Sequence, residues 1–512
     1  MILSLLALGS RMIPSLFPDQ DLFTVLPETR GRLSYPLGYW NALGAVLALG
    51  TVLLVALAGL ARSVMGRALA TAAIPLPAFG VFLTSSRGGA VAGAVGLVIL
   101  LVLSPRRVRL VTAVALGGVG TAILVVSALS RDLFTDGRTG AAGYHTEANV
   151  MLLLTLVVVG ALLTLRPMVD DLVERLRVPR AVSAVLAVAA VAAVIVGLLG
   201  ADPVERWHEL KAPPNTQDAV SGRGLATRHL TSTEGTGRYQ FWKAGWEAFR
   251  SEPLRGVGAA GYEPWWAQHG SLDYYVRNAH SLFVETGAEL GAVGLLLVLG
   301  FFAAVLFAGV GRRLGGEDPS AVAALLAVLG CGITAAGVEW TWEVPGAFLP
   351  VVIAAAVLCG PALAPGGLRR RGARIALGAG VVIAGCACIV AGGIALTTDA
   401  KLRASREAAA DGDLARAADE ARAAATIQPW AAAPRLQLAL VEEQGEDPAA
   451  SERALGEAIE RAARDWRLWY ALTRVRATAG DRAGAIRALR RTRALAPPSA
   501  YIRGVLGIQS RE

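Results

Sequence analysis

The chain has 512 residues, 54% of them hydrophobic and 17% charged, with a formal net charge of +9. Soluble globular chains carry about 25% charged residues, so this one lacks the polar surface that a large water-soluble enzyme needs. Its four Cys exclude a disulfide scaffold, and with 46 Arg against three Lys the placement of charge says more than its total.

The N-terminal segment 1–41 opens on an apolar stretch, Met1 to Leu8, too short to span a bilayer. It reads as the tail of a helix whose start is missing, or as a short interfacial segment. Asp19-Gln20-Asp21 matches the short D-x-D pattern of metal-dependent sugar transferases, but a solvated turn is the better reading.

Ten apolar runs follow, at 42–60, 68–84, 88–103, 110–129, 150–165, 181–200, 290–310, 321–338, 346–364 and 375–396. None contains an acidic residue, Lys, Arg or His. A hydrocarbon core of ~30 Å takes about 20 helical residues, and backbone in lipid must pair internally. The expected fold is therefore all-α: a polytopic membrane protein with about ten transmembrane helices. Six lie in 42–200 and four in 290–396. The runs at 88–103 and 150–165 must borrow flanking residues, and Pro75 with Pro77 predicts a kink in the second.

Arginine placement predicts orientation. Alternate connections hold Arg62, Arg67, Arg106, Arg107, Arg109, Arg166, Arg175, Arg177, Arg180, Arg312, Arg313, Arg369, Arg370, Arg371 and Arg374. The short connections between them hold only Arg87, Arg131 and Arg138. By the positive-inside rule the Arg-rich side is cytoplasmic. Segments 1–41, 201–289 and 397–512 then lie outside. All five His and all eleven Trp fall in these outer segments or at their membrane edges. Trp40, Trp340 and Trp342 read as interfacial anchors.

Segment 201–289 is too long to be a mere connection. Its charges are near balance, so a nucleic-acid partner is not expected. Within it, 238–249 has helical periodicity, with Tyr239, Trp242, Trp246 and Phe249 on one face suited to packing on the membrane domain. Gly256-Val257-Gly258-Ala259-Ala260-Gly261 fits G-x-G-x-x-G, but no strand–helix–strand context surrounds it. Turns needing positive φ account for it better. His280 stands ahead of an apolar helix, and an ordinary pKa near 6.5 would let it accept a proton at neutral pH. A structural hydrogen-bonding role is the alternative. Residues 397–512 are rich in Ala, Arg and Glu. Gly412 and Gly480, and Pro429 and Pro497, are each 68 apart, with Gly445 between. That spacing predicts a helical-repeat tail of tetratricopeptide type, the alternative being a plain Ala-rich bundle. The Cys all sit in apolar runs as small hydrophobes. The His spacing suggests no metal site, and no cofactor is expected.

Four stretches carry a resemblance. They are Arg32-Leu33-Ser34-Tyr35-Pro36-Leu37-Gly38-Tyr39-Trp40-Asn41-Ala42; Thr84-Ser85-Ser86-Arg87-Gly88-Gly89-Ala90; Gly237-Arg238 with Trp242, Phe249, Pro253, Gly256 and Gly258; and Ala279-His280-Ser281 with Glu285, Glu289 and Gly291. In order and spacing, over residues 32–360, the chain resembles the O-antigen ligase/polymerase family of polytopic membrane glycosyltransferases. Ser281 stands where most relatives have Asn. Relatives commonly have more membrane helices than ten, which implies that N-terminal helices are absent here.

The resemblance implies transfer of a glycan from an undecaprenyl-diphosphate carrier to a glycan or lipid acceptor outside the membrane. Arg238 and Arg87, with Arg32 third, become the diphosphate-binding candidates, because a planar guanidinium matches phosphate oxygens. His280 becomes the candidate catalytic base, with Glu285 or Glu289 supporting it. Ligase and polymerase differ only in acceptor. A non-catalytic scaffold that binds a protein partner on its repeats is a further alternative. So is a small-anion transporter, although the apolar runs lack the ionisable residues that coupled transport needs.

Overall fold

A computed structural model describes residues 1–18, 31–176, 208–213, 235–272, 275–315, 317–360 and 371–496. The apolar run 181–200 and Asp19-Gln20-Asp21 lie outside the described residues. Among those described there is no strand, and the protein is an all-α polytopic membrane chain. Among the described residues seven helices are long and apolar enough to cross a membrane. Three shorter apolar helices are Ile2–Met12 (α1), Arg87–Leu103 (α5) and Pro345–Cys359 (α12).

The chain forms two compact units. In its described parts the first comprises residues up to Val257 and from Asn278 to Gly360. Its early helices are α1, Trp40–Leu60 (α2), Val64–Ala73 (α3), Pro75–Thr84 (α4), α5, Arg107–Leu129 (α6) and Tyr144–Leu176 (α7). Arg238–Ser251 (α8) lies between membrane helices. Leu282–Leu314 (α10), Pro319–Val338 (α11) and α12 complete the unit. The second predicted span runs from Val64 to Thr84, with α3 and α4 meeting at Ile74, whose backbone stays right-handed helical. Pro75 sits at the start of α4, where its missing N–H costs nothing. The run at 150–165 does borrow its flanks, extending to 33 residues in α7.

Small residues let the core helices approach closely. A Cβ on Gly89 of α5 would lie 2.8 Å from the Gly44 carbonyl carbon of α2, a contact only glycine permits. Leu49 of α2, Ala92 of α5, Leu329 of α11 and Val351 of α12 fill the apolar layer below. On the Arg-rich side two arginines are not solvated. Arg67 Nε lies 2.8 Å from Asp170 Oδ2 and Arg166 Nε 3.0 Å from Asp170 Oδ1, all within the fold.

The second unit comprises Gly258–Arg277, containing Tyr262–His269 (α9), and the described chain from Arg371 onward. The expected loop 201–289 is thus not one body. Of its described residues, 208–213, 235–257 and 278–289 belong to the first unit, and 258–272 with 275–277 belong to the second. The apolar run 375–396 and the first tail helix are also continuous, forming one 40-residue helix, Arg371–Ala410 (α13). Then follow Leu414–Ile427 (α14), Ala433–Gln444 (α15), Pro448–Arg461 (α16), Trp466–Thr478 (α17) and Arg482–Leu495 (α18).

Three helix starts are capped alike. The side chains of Asp413, Asp447 and Asp481 accept from the backbone N–H of Arg416, Ala450 and Gly484, at 3.1, 2.8 and 2.8 Å. Such caps satisfy donors that a helix leaves orphaned. Their spacing of 34 residues is the repeat read from the glycines. Gly412 and Gly480 turn the chain at φ of 82° and 81°. In the middle turn Glu446, not Gly445, takes the left-handed conformation.

α9 packs on the last of these helices. Ala267 meets the cluster of Trp466, Leu495 and Ala496. Glu263 Oε1 is 3.0 Å from Arg467 Nη1 and accepts from Tyr275 Oη at 2.8 Å.

Candidate active site

Three sequence-distant segments of the first unit, around Tyr39 and Asn41, Arg238 and His280, meet at one carboxylate, Glu339, which follows the last residue of α11. Tyr39 Oη donates to its Oε1 at 2.6 Å and Asn41 Nδ2 to its Oε2 at 2.6 Å. Arg238, the first residue of α8, donates to Oε2 through Nη2 and to the Val338 carbonyl through Nε at 3.0 Å. His280 Nε2 lies 3.6 Å from Oε1. Trp340 stacks on Tyr39, ring centroids 4.2 Å apart, so it is part of this wall as well as a residue at a helix end.

The carboxylate is nearly sealed from solvent. Burial alone would raise its pKa, but Arg238, His280 and the hydrogen bond from Tyr39 outweigh burial and hold it below the ordinary value. Burial and the adjacent Glu339 push the Tyr39 phenol well up, so it stays a neutral donor. For Arg238, burial favours the neutral form and the partners Glu339 and Tyr39 override it.

The backbone at His280 is unusual. Its φ is 53°, a left-handed conformation uncommon for a residue with a side chain. Neighbouring bonds hold it there: Glu285 Oε2 accepts from Ala279 N–H at 2.8 Å. Ser281 caps α10, accepting from Val284 N–H at 3.4 Å. The ring lies 5.2 Å from the Phe241 ring, and its Nδ1 is 3.2 Å from the Asn278 carbonyl oxygen. A carbonyl only accepts, so Nδ1 carries the hydrogen and Nε2 of the neutral ring carries the lone pair. Burial, with Arg238 adding to it, lowers the His280 pKa against the opposing pull of Glu339 and Asn278. The ring is therefore a neutral base at pH 7.

Arg32 braces the break between α4 and α5. Its Nε donates to Thr84 O at 3.0 Å and its Nη2 to Ser85 O at 3.0 Å and Asn41 Oδ1 at 3.1 Å. The guanidinium lies 4.7 Å from the Trp40 ring centroid. Burial lowers its pKa to about 9, with Arg238 and Arg87 acting in the same direction against Tyr39 and Glu339. It remains a cation at pH 7. Ser85 in the left-handed region and Ser86 as N-cap, accepting from Gly89 N–H at 3.2 Å, set Arg87 at the first turn of α5. Arg32 thus lies within electrostatic reach of both Arg238 and Arg87.

The glycine motif holds this geometry from behind. α10 is broken at Gly291, φ 64°. The loop after α8 plugs the break: Val257 N–H donates to Ala288 O at 2.9 Å and Ala292 N–H to Pro253 O at 2.7 Å. A Cβ on Gly256 would lie 2.3 Å from the Glu289 carbonyl carbon, and one on Gly291 2.4 Å from that of Leu254. Positive-φ turns are thus the observed role of Gly256 and Gly258. Glu289 contributes its backbone to this joint.

Two expectations change. The fully buried face of α8 is Gln240, Phe241, Ala244, Gly245 and Ala248, while of the aromatic stripe Tyr239, Trp242 and Phe249 are half-buried and Trp246 is exposed. Small residues allow close packing on α10, while Trp246 is turned outward and stacks on Phe249 at 5.3 Å. Glu285 supports the main chain beside His280, and the carboxylate facing the ring is Glu339, which the sequence reading missed. Its only signal was a lone acidic residue at the end of an uncharged run. Among the described residues no group of His, Cys, Asp and Glu is arranged to hold a metal ion.

Comparison with known proteins gives one family. Residues 133–299 match the model of the O-Antigen ligase family, a stretch that includes Arg238, His280, Glu285 and Glu289. No curated protein matches the chain. The chain therefore carries an O-antigen ligase domain in a multi-pass membrane protein, and Arg32, Arg87 and Glu339 join it from outside the matched stretch.

Proposed function

We propose that this protein is a glycosyltransferase that moves a glycan from undecaprenyl diphosphate to an acceptor hydroxyl at the outer face of a bacterial cytoplasmic membrane. The observation that carries the reading is a buried imidazole whose Nε2 lies beside Glu339 and within the field of Arg238, with Arg32 in turn within the field of Arg238 and Arg87. The arginines offer positive charge to a diphosphate leaving group. His280 takes the acceptor's proton as its oxygen attacks the anomeric carbon. Arg87 and Arg32 contact the phosphates from the helix break, and Arg238 from the opposite side. The acceptor is another envelope molecule in a ligase or the growing glycan in a polymerase. The exposed Trp246 suits the lipid interface that such a donor occupies. The 34-residue hairpins read as tetratricopeptide units that bind a protein partner or the glycan.

The test is transfer in membranes from a lipid-diphosphate glycan, comparing wild type with His280→Ala and Arg87→Ala at matched folded protein. Loss of transfer in both, with donor binding retained in the His280 variant and weakened in the Arg87 variant, is the expected result. Unchanged transfer in the His280 variant would remove the proposed base.

A further inference from the structure

We propose that Glu339 is the positioning residue of this site: it fixes His280 and Arg238 against each other and receives, beside its Oε1, the positive charge that forms on the imidazole during transfer. This rests on the transfer reaction proposed above.

The neutral ring donates from Nδ1 to Asn278 O at 3.2 Å, so the proton gained must arrive at Nε2. At 3.6 Å, Nε2 and Glu339 Oε1 are too far apart for a hydrogen bond. The same atom is left able to face an acceptor hydroxyl. As that oxygen bonds to the anomeric carbon, the carbon–oxygen bond to phosphate breaks and its electron pair leaves with the diphosphate. The hydroxyl proton passes to Nε2. The ring is then a cation with Nδ1–H held by Asn278 and Nε2–H beside a carboxylate.

Glu339 is not itself the base. Tyr39, Asn41 and Arg238 already donate to its oxygens, and Arg238 and His280 keep it ionised. Its burial makes the interaction with a new charge nearby stronger than it would be in water. The groups facing the ring are Glu339 after α11, Arg238 and Phe241 on α8, and the Asn278 carbonyl on its own segment. Of these only Glu339 carries a charge that favours the imidazolium. Arg238, tied to the same carboxylate and to Val338 O, cannot drift from the ring without breaking both bonds.

Two readouts test this in the full-length protein in proteoliposomes. The first is the pH dependence of transfer for wild type, Glu339→Gln and Glu339→Asp. Glutamine should lower kcat on the order of a hundredfold and move the acid limb to lower pH, because the charge that favours protonated His280 is gone. Aspartate, which keeps the charge, should retain a limb near that of wild type. The second is the pH dependence of acylation of His280 by diethyl pyrocarbonate, which reads the neutral ring without any transfer. It should shift to lower pH in the glutamine variant. A kcat loss with no movement of either profile means a structural role only and overturns the proposal. An unmoved acylation profile overturns it even if transfer is lost. A shifted acylation profile in a wild-type protein that transfers nothing would sink the transfer reading while upholding control of His280 by Glu339.

Discussion

Tyr39 and Glu339, 300 positions apart in the chain, meet through a 2.6 Å hydrogen bond. That bond joins the segment ahead of α2 to the end of α11, and it fixes one side of the carboxylate on which Arg238 and His280 converge. The imidazole therefore sits in a rigid polar frame, which makes its titration predictable.

Because burial lowers the His280 pKa below 6.5, the neutral base form is already populated at neutral pH. Transfer should be nearly flat from pH 7 upward on this account, and should fall only as pH drops through the depressed pKa. A pH–rate profile of kcat/KM checks this. An acid limb above 6.5 would contradict it.

The joint between Gly256 and Gly291 predicts a graded series. Gly256→Ala and Gly291→Ala each force a Cβ into backbone at a positive φ. Strain and displacement together should cost roughly 2–4 kcal/mol. Gly258→Ala carries the strain alone, since nothing lies within 4 Å of its Cβ position, and should cost about 1 kcal/mol. Thermal unfolding in detergent should rank Gly258→Ala as the mildest.

Asp170 bridges two arginines that are themselves buried. Asp170→Asn leaves both without a counter-charge and should destabilise the first unit by about 3–5 kcal/mol. The readout is the thermal midpoint of the purified protein. Replacing all three residues by apolar ones of similar size should recover much of the loss.

In the second unit, Trp466 covers Ala267 and Leu495, and Arg467 holds Glu263 at 3.0 Å. Trp466→Ala should cost about 3 kcal/mol and release the segment around α9. Limited proteolysis should then cut within 258–272 faster than in wild type. Arg467→Ala, which removes a half-exposed ion pair, should have a smaller effect.

The sequence by itself determined what depends on local composition and period. Uncharged runs of membrane-spanning length, the helix start at Pro75, the 34-residue spacing of the tail and the positive-φ turn at Gly256 and Gly258 are all consequences of short stretches of chain. His280 and the three arginines were legible through motifs, since each stands beside glycines or helix caps that mark its place. Only the tertiary structure decided which groups meet. Glu339 looks like one more acidic residue at a helix end until Tyr39, Asn41, Arg238 and His280 are brought to it by packing. The buried face of α8 was decided in the same way, because close helix contact rewards Ala244, Gly245 and Ala248 over larger rings. So was the division of the long loop, where Trp466 and Arg467 draw α9 to the C-terminal helices. Periodicity reports what one element needs to bury, whereas the partner that buries it is chosen by long-range contacts that no local window contains.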